Sequence, residues 1–527
     1  QERPPRAFGV GKCRVSGPFM LREVFELNYT QIIALPEGPV DHYGRYWLND
    51  DEVTVISNQV QGMDDRRYPT GKVRFETRLG EDTETAYSTA VADFPGLWTT
   101  NHRGDGIPSI LLRLTNGDKD KFSRDYPNGV QTTPSIEAFY RAYDWRDEAQ
   151  DPEDNTTWTY SANPVVWLVN VLWRRFGADW DERFAPSLDI LTAEADVCDE
   201  EVELAAGGTE PRYECGFFFL ATNAAADVIA IILASMDGWF GQRSDGAYII
   251  RAGHYIEPTV IFGDKEIYDY EFNPGPTPDA ARNYLTISFT DPDAAYSKVE
   301  TTPWADETDI ALRGEEKRQD FYPQAVQSNG QVRRLGKPAL HRLLTPHGTF
   351  RTPLSARRGM GERFVGLNIS ECDDLNGVVV ELGEYTIDLA SASIVWTYQL
   401  ADAAIYSWNP ETEEGDGPSG ADRPTPEVLD DPDIDDVTPF YEGTGGGTGV
   451  RLSVEATGPD RADLTWAVRW RVDGATSWVE AEASDIDPLS PVVLETGFVT
   501  ADETIQVQVA YRTGSGVLSD WSPTIPF

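Results

Sequence analysis

The hydrophobic period of this sequence changes twice, and those two changes constrain its fold more than any single motif. Over the first 150 residues the apolar positions recur as strands. Leu27 to Ala34 collects aromatic and β-branched residues, Pro36-Glu37-Gly38-Pro39 interrupts the chain after it, and Tyr43 to Leu48 precedes the turn residues Asn49-Asp50-Asp51. A hairpin is the simplest expectation for that pair. Lys72 to Thr77 and Ile110 to Leu114 keep the same period, the second closed by the turn dipeptide Asn116-Gly117. At Asn163 the period lengthens. Asn163-Pro164 sets a capping side chain before a Pro at the first helical position, the run Val165 to Phe176 predicts a buried helix, and Gly177 supplies its stop. Ser187 to Glu200 places Leu188, Leu191, Ala195 and Cys198 on one helical stripe. Asn223 to Met236 is apolar nearly all round and ends at Asp237-Gly238, before a hairpin about Ser244-Asp245-Gly246. From Asp264 strand character returns. Tyr284 to Phe289 alternates until Asp291-Pro292, Gln327 to Leu344 predicts a basic amphipathic helix, and Val378 to Leu400 is β-rich.

One hydrophobic core cannot fill a chain of 527 residues, because cores stop growing at roughly 250–300 residues. The reading is therefore a multidomain protein, mainly β with an α+β insert: β-rich domains over 1–150, an α+β unit over 151–263 and a second β region with a helix over 264–409. Between 410 and 447 Glu, Asp, Pro and Gly dominate and Gly445-Gly446-Gly447 closes the stretch, which predicts an acidic linker. Over 448–527 the period-2 runs around Leu464-Thr465-Trp466 and Ile505 to Val509 predict a small antiparallel sandwich. No stretch has the roughly 18–20 apolar residues needed to cross a bilayer. The opening Gln1-Glu2-Arg3-Pro4-Pro5 is unlike a basic-then-apolar leader, and the absence of an initiating Met points to processing or to a start further upstream.

Charge excludes one large class of function. Lys and Arg total 44 against 88 Asp and Glu, a net charge of −44. Such a surface repels polyanions and cannot bind nucleic acid by neutralising phosphates, although DNA could pass it without adhering. Signals for chemistry are sparse. Cys13, Cys198, Cys215 and Cys372 have no CxxC spacing and read as buried free thiols, with Cys198 and Cys215 able to approach across a loop. His42, His102, His254, His341 and His347 form no HExxH, and neither a GxSxG elbow nor a GxxxxGK[ST] loop is present. Carboxylate pairs are abundant because acidic residues are, so a glycosidase dyad stands only as a minor alternative. The run Asp430 to Asp436 could offer carboxylates to Ca²⁺ but lacks the Gly and terminal Glu of an EF-hand loop, and a solvated charge run is the simpler expectation. Arg103-Gly104-Asp105 reads as a turn, and Trp167 and Trp173 as core residues of the first helix. No catalytic, cofactor-binding or metal-binding residue is assigned, and no enzyme activity is expected.

Several blocks, taken together, resemble a known family. Tyr160-Ser161-Ala162-Asn163-Pro164-Val165-Val166-Trp167-Leu168 with Gly177, then Cys198-Asp199-Glu200, the loop Gly207 to Cys215 and the helix after Thr222 are similar in order and spacing to phage tail hub proteins, the family of the lambdoid tip attachment protein. Upstream, Gln31 to Asp41 with Trp47-Leu48-Asn49-Asp50 resembles the family's first hairpin, and Asn101 to Ile107 and Ala142 to Arg146 fall at similar turns. Downstream, Asn283 to Tyr296 and Arg334-Leu335-Gly336-Lys337 resemble its late strand and helix, so the likeness covers about residues 8–410. The ending Leu518-Ser519-Asp520-Trp521-Ser522-Pro523 resembles the last strand of fibronectin type III domains. The resemblance implies a homotrimer in which two tail-tube-like β-barrels per subunit form a pseudo-hexameric ring with a channel for DNA and the tape measure protein. Its implied place is the virion, at the distal end of the tail of a siphophage or in a related baseplate, next to a distal tail protein ring and to tip or fibre proteins. Lambdoid members continue into long fibre regions, so contact of this chain with the host surface is expected to be indirect. The competing expectation is an extracellular receptor- or glycan-binding adhesin that uses the C-terminal sandwich.

Overall fold

The computed structural model describes residues 4–63, 67–117, 121–418, 430–444, 447–483, 486–514 and 518–527. Strands dominate and, among the described residues, gather into two six-stranded sheets, a five-stranded sheet, a three-stranded sheet, three two-stranded pairs and a terminal sandwich. The first sheet is antiparallel throughout and runs in the order Phe19–Phe25, Asn28–Ala34, Ser109–Thr115, Val73–Arg78, Gln59–Val60, Val55–Ile56. Its central strands are apolar on both sides, as burial on two faces demands. Ile33, Ile110 and Leu112 point into the main core, while Leu21, Ile32 and Leu111 pack beneath the helix Ser88–Asp93 through Tyr87, Ala90 and Phe94.

The expected hairpin between Leu27–Ala34 and Tyr43–Leu48 is not formed. Asn28–Ala34 pairs instead with Phe19–Phe25 across a two-residue turn in which Glu26 takes φ +52, a shorter loop to close than the Pro-rich segment after Ala34. That Pro-rich segment is engaged elsewhere: Glu37 N donates to Ala7 O at 2.7 Å, and its own carbonyl accepts from Gly9 N at 3.0 Å. Val40–Leu48 therefore enters a different sheet, beside Pro134–Ala142.

The helical block follows the sequence with one deviation. Asn163 caps Pro164–Asn170 by accepting from Val165 N and Val166 N, as its place before Pro predicts. The helix does not stay α to Phe176. It widens into a π turn over Val171–Arg175, closed by Phe176 N donating to Val171 O at 3.1 Å, before Gly177 ends it at φ +73. Leu188–Asp199 and Ala225–Ala234 complete the unit, followed by the hairpin of Trp239–Gln242 and Tyr248–Arg251.

The second six-stranded sheet runs Ile261–Gly263, Phe364–Asn368, Asn376–Asp388, Ser393–Leu400, His347–Pro353, Asp269–Asn273. Its first pair is parallel and the rest antiparallel. It has a separate core around Phe262, Phe350 and Trp396. A single main core spans Val10 to Leu340 and joins the first sheet, the helical block and the helix Asn329–Leu344.

The acidic stretch after residue 410 is not linker throughout. Residues 419–429, and Gly445 and Gly446 of the glycine run, lie outside the described residues, but Asp433–Thr444 is a strand paired with Gly447–Thr457 along its length, with one irregularity at Asp435. Ile434 and Val437 supply the apolar positions that set it on the sandwich core, so backbone pairing and two inward side chains override an acidic composition. With Val492–Glu495 these strands face a second sheet of Val479–Glu482, Thr465–Val472, Ile505–Arg512 and Ile525–Pro526, around a core centred on Trp466. Most of the expected last strand is replaced by side chains. Ser519 Oγ and Ser522 Oγ accept from Tyr511 N and Val509 N at 3.0 Å, doing at the Pro-interrupted edge what backbone carbonyls do elsewhere.

Candidate functional site

The residues weighed for chemistry each have a local structural partner. Cys13, Cys198 and Cys215 are buried and unpaired, Cys372 is half-buried and unpaired, and burial pushes the Cys13 thiol up to about 12. A thiol held protonated in this way is a packing group and not a nucleophile. His42 stacks on Phe139 at 4.1 Å and bonds Asp41, and His102 stacks on Trp98 at 4.9 Å. His254 Nε2 bonds Glu194, His347 bonds Thr345 O, and His341 lies in the last turn of Asn329–Leu344, where burial lowers its pKa. Arg103 pairs with Asp105 of its own turn, and Asp105 accepts from Glu84 N at 2.8 Å, so the Arg-Gly-Asp triplet is closed on itself. Asp433, Asp435 and Asp436 lie exposed along a strand, and among the described residues no three metal-ligating side chains converge. Trp167 is core, its Nε1 donating to Ser161 O at 2.6 Å. Trp173 is half-buried, packed against the main core and also bordering an open cavity.

Three buried charged joints tie the units together instead. The largest gathers Asp237, Arg342, Arg363, Glu381 and Tyr406. Arg342 Nη2 and Arg363 Nη2 donate to Asp237 Oδ2 at 2.8 and 2.9 Å, and Arg342 Nε and Arg363 Nε donate to Glu381 at 2.9 and 2.8 Å. Tyr406 Oη lies 2.9 Å from Arg342 Nη2, and Arg363 Nη1 reaches Ala252 O at 2.8 Å. Two cations meet two anions, so the group is neutral as a whole, which is how charge is tolerated at such depth. Burial alone would raise the Asp237 carboxyl, but the Arg342 and Arg363 charges outweigh it and hold it below its ordinary value. Asp237 follows Ala225–Ala234, Arg342 lies on Asn329–Leu344, Glu381 on the second sheet with Arg363 just before one of its strands, and Tyr406 on the turn after it, so the joint locks helical block, helix and sheet to one another.

A second joint links the first half to the strands after residue 283. Glu137, on Pro134–Ala142, accepts from Tyr296 Oη at 2.6 Å and from Arg45 Nη2 at 3.0 Å, while Arg45 also reaches Asp293 at 3.2 Å. Tyr296 stands at φ +63 in the turn after Asp291-Pro292, so the Asp-Pro break is what aims this side chain across the gap. The third joint surrounds Glu194, 2 % exposed, which accepts from Arg251 Nη1 at 2.9 Å, Ala252 N at 2.8 Å and His254 Nε2 at 2.9 Å. Both carboxyls are pushed up by burial and brought below their usual range by these donors.

The helix Asn329–Leu344 enters the first joint through Arg342 and holds further charges of its own. Its basic residues are turned inward: Arg333 stacks 4.0 Å from the Trp304 ring centroid, and Arg334 bonds Glu210 at 2.8 Å. Burial pushes Arg333 down to about 10. Sequence reasoning recognised this helix but missed Arg363 and Glu381. The available signal was a charge set within or beside an apolar strand run, Val378 to Leu382 and Phe364-Val365, where an unpaired charge would be prohibitive.

No protein-family model matches the chain, and no curated protein is similar to it. Among solved structures it is similar to two prophage tail proteins. One is the 43 kDa tail protein of prophage MuSo2 from Shewanella oneidensis, at 8 % identity and TM-score 0.27, covering 76 % of this chain and 96 % of that one. The other is tail protein gp18 from Listeria monocytogenes EGD-e, at 10 % identity and TM-score 0.25, covering 73 % and 87 %.

Proposed function

We propose that this chain is a structural hub at the distal end of a phage or phage-like tail, acting as a homotrimer and without catalysis. The observation that carries the reading is that one polypeptide builds two six-stranded, largely antiparallel sheets, one from residues 19–115 and one from 261–400. Three copies then present six such units about an axis, and a closed ring of this kind leaves a central passage. Two further features support it. The first sheet shares the main core with the helical block, and the Asp237 joint ties that block to the second sheet, so both sheets are held to a common frame, which a ring needs if its units are to repeat at constant angle. The edge strand Phe19–Phe25 exposes Phe19, Val24 and Phe25, with Leu27 beside them, and an apolar open edge is a template for pairing with another chain.

In this reading the hub sits below a distal tail protein ring and above tip or fibre proteins. Its net charge of −44 lets DNA and the tape measure protein pass without adhesion, and the C-terminal fibronectin type III-like sandwich is an appendage. Mass photometry of the full chain tests it. The expected species has three times the 58.6 kDa chain mass, and a paired Val24→Asp, Leu27→Asp variant shifts it to monomer with unchanged circular dichroism. A strict monomer for the parent at high concentration, or a variant that assembles as well as the parent, overturns it.

A further inference from the structure

The cavity beside the π turn has a chemistry that the hub role does not use. Trp173, on the π turn Val171–Arg175, is half-buried at the margin of the main core, and the short helix Trp180–Arg183 brings Trp180 against it, ring centroids 4.9 Å apart. Tyr143 lies 5.8 Å from both. The three rings line an open cavity of about 550 Å³ whose charged lining residues are Glu153, Asp179 and Asp181, carboxylates only. Asp179 is committed in part to Glu182 N, at 2.9 Å, whereas Asp181 is exposed and has no partner among the described residues. The cluster already holds one cation: the Arg174 guanidinium stacks 3.5 Å from the Trp173 centroid and 5.5 Å from that of Trp158. Arg174 also pairs with Glu153 at 3.7 Å and donates to Pro152 O, so of the three carboxylates Asp181 is the one left for a further cation.

We propose that this cavity binds a cationic side chain, a guanidinium or alkylammonium, presented by a basic segment of a partner protein. Aromatic faces attract a cation through their quadrupole, and carboxylates at the rim supply charge-assisted acceptors for its N–H groups. Anionic ligands meet three carboxylates and are excluded. A neutral sugar also stacks on rings and donates its hydroxyls to carboxylates, so it is the competing occupant that the test separates. The chain's net charge of −44 raises the local concentration of cations and steers a basic segment to the site.

The test is calorimetric titration of the full chain with N-acetyl-arginine amide, with its neutral isostere N-acetyl-citrulline amide, and with a neutral disaccharide. Saturable binding of the arginine probe is expected, at least about tenfold tighter than citrulline and weakened severalfold between about 50 and 500 mM salt, as screening of an exposed ion pair requires. Asp181→Asn, at an exposed residue with no partner to lose, should weaken binding about three- to tenfold and leave the unfolding midpoint unchanged. Trp180→Ala should abolish it. Equal binding of citrulline, tighter binding of the disaccharide, an unaffected Asp181→Asn variant, or no heat up to about 10 mM probe at low salt would each overturn the proposal.

Discussion

Replacing Asp237 by Ala tests the largest joint. The carboxylate accepts from Arg342 Nη1 and Nη2, from Arg363 Nη2 and, at 3.3 Å, from Tyr406 Oη. Summing a charge-assisted bond of about 1.5–3 kcal/mol for each would overstate the loss, since both guanidiniums keep Glu381. The relevant quantity is the cost of leaving one buried charge without its counter-ion, about 3–5 kcal/mol. The Arg363 side chain is 2 % exposed and that of Arg342 22 %, so solvent cannot replace the missing partner at the first and does so only in part at the second. We expect a loss of about 3–5 kcal/mol in urea unfolding of the full chain, followed by circular dichroism and tryptophan fluorescence. The sandwich has its own core, so its transition should stay in place while that of the main body moves. Adding Arg342→Met should restore part of the loss, because it removes the stranded cation. A loss below about 1 kcal/mol for Asp237→Ala, or a double variant worse than the two single variants combined, would refute this reasoning.

Other perturbations have equally definite signs. Asn163→Ala should cost about 2–3 kcal/mol, more than a cap alone, because its Nδ2 also donates to Ala195 O and Asp199 Oδ1 at 2.8 Å; equal unfolding midpoints would reject this. Gly11→Ala should cost about 2–5 kcal/mol, since Gly11 holds φ +61 and an added Cβ would stand 1.9 Å from Cys215 O; a soluble variant of parental stability is the contrary result. Stability should also fall in acid. Glu137, Glu194 and Asp237 all have folded pKa values below the ordinary range, so their contribution is complete above about pH 5 and is lost as pH drops through the lower folded values. Urea midpoints measured from about pH 3 to 7 should show that decline, with a shallower acid limb for Asp237→Ala.

Local chemistry made much of the fold legible. Asn163-Pro164 and Gly177 bracketed a helix because a cap, a fixed φ and a left-handed stop act within a few residues. Strand identities were legible for the same reason, from alternation and turn dipeptides. Partners were not. Which strand Asn28–Ala34 pairs with depends on whether Glu26-Leu27 or the Pro36–Pro39 segment closes the tighter loop, and on where Ala7–Val10 docks. The π turn was hidden because Val171–Arg175 fits an α pattern, and the wider bond from Phe176 N to Val171 O leaves no mark in the hydrophobic period. The joints were harder still. Asp237 reads as a helix stop, and its meeting with Arg342 and Arg363 depends on contacts more than one hundred positions apart. Composition misled at Asp433–Thr444, where inward Ile434 and Val437 count for more than the acids around them.

An axial density map of the assembled full chain tests the central claim most directly. Three copies are expected, with six six-stranded sheets alternating between the 19–115 and 261–400 segments around an open centre. A map in which only one sheet of each copy faces the axis, or in which the centre is filled, would contradict it.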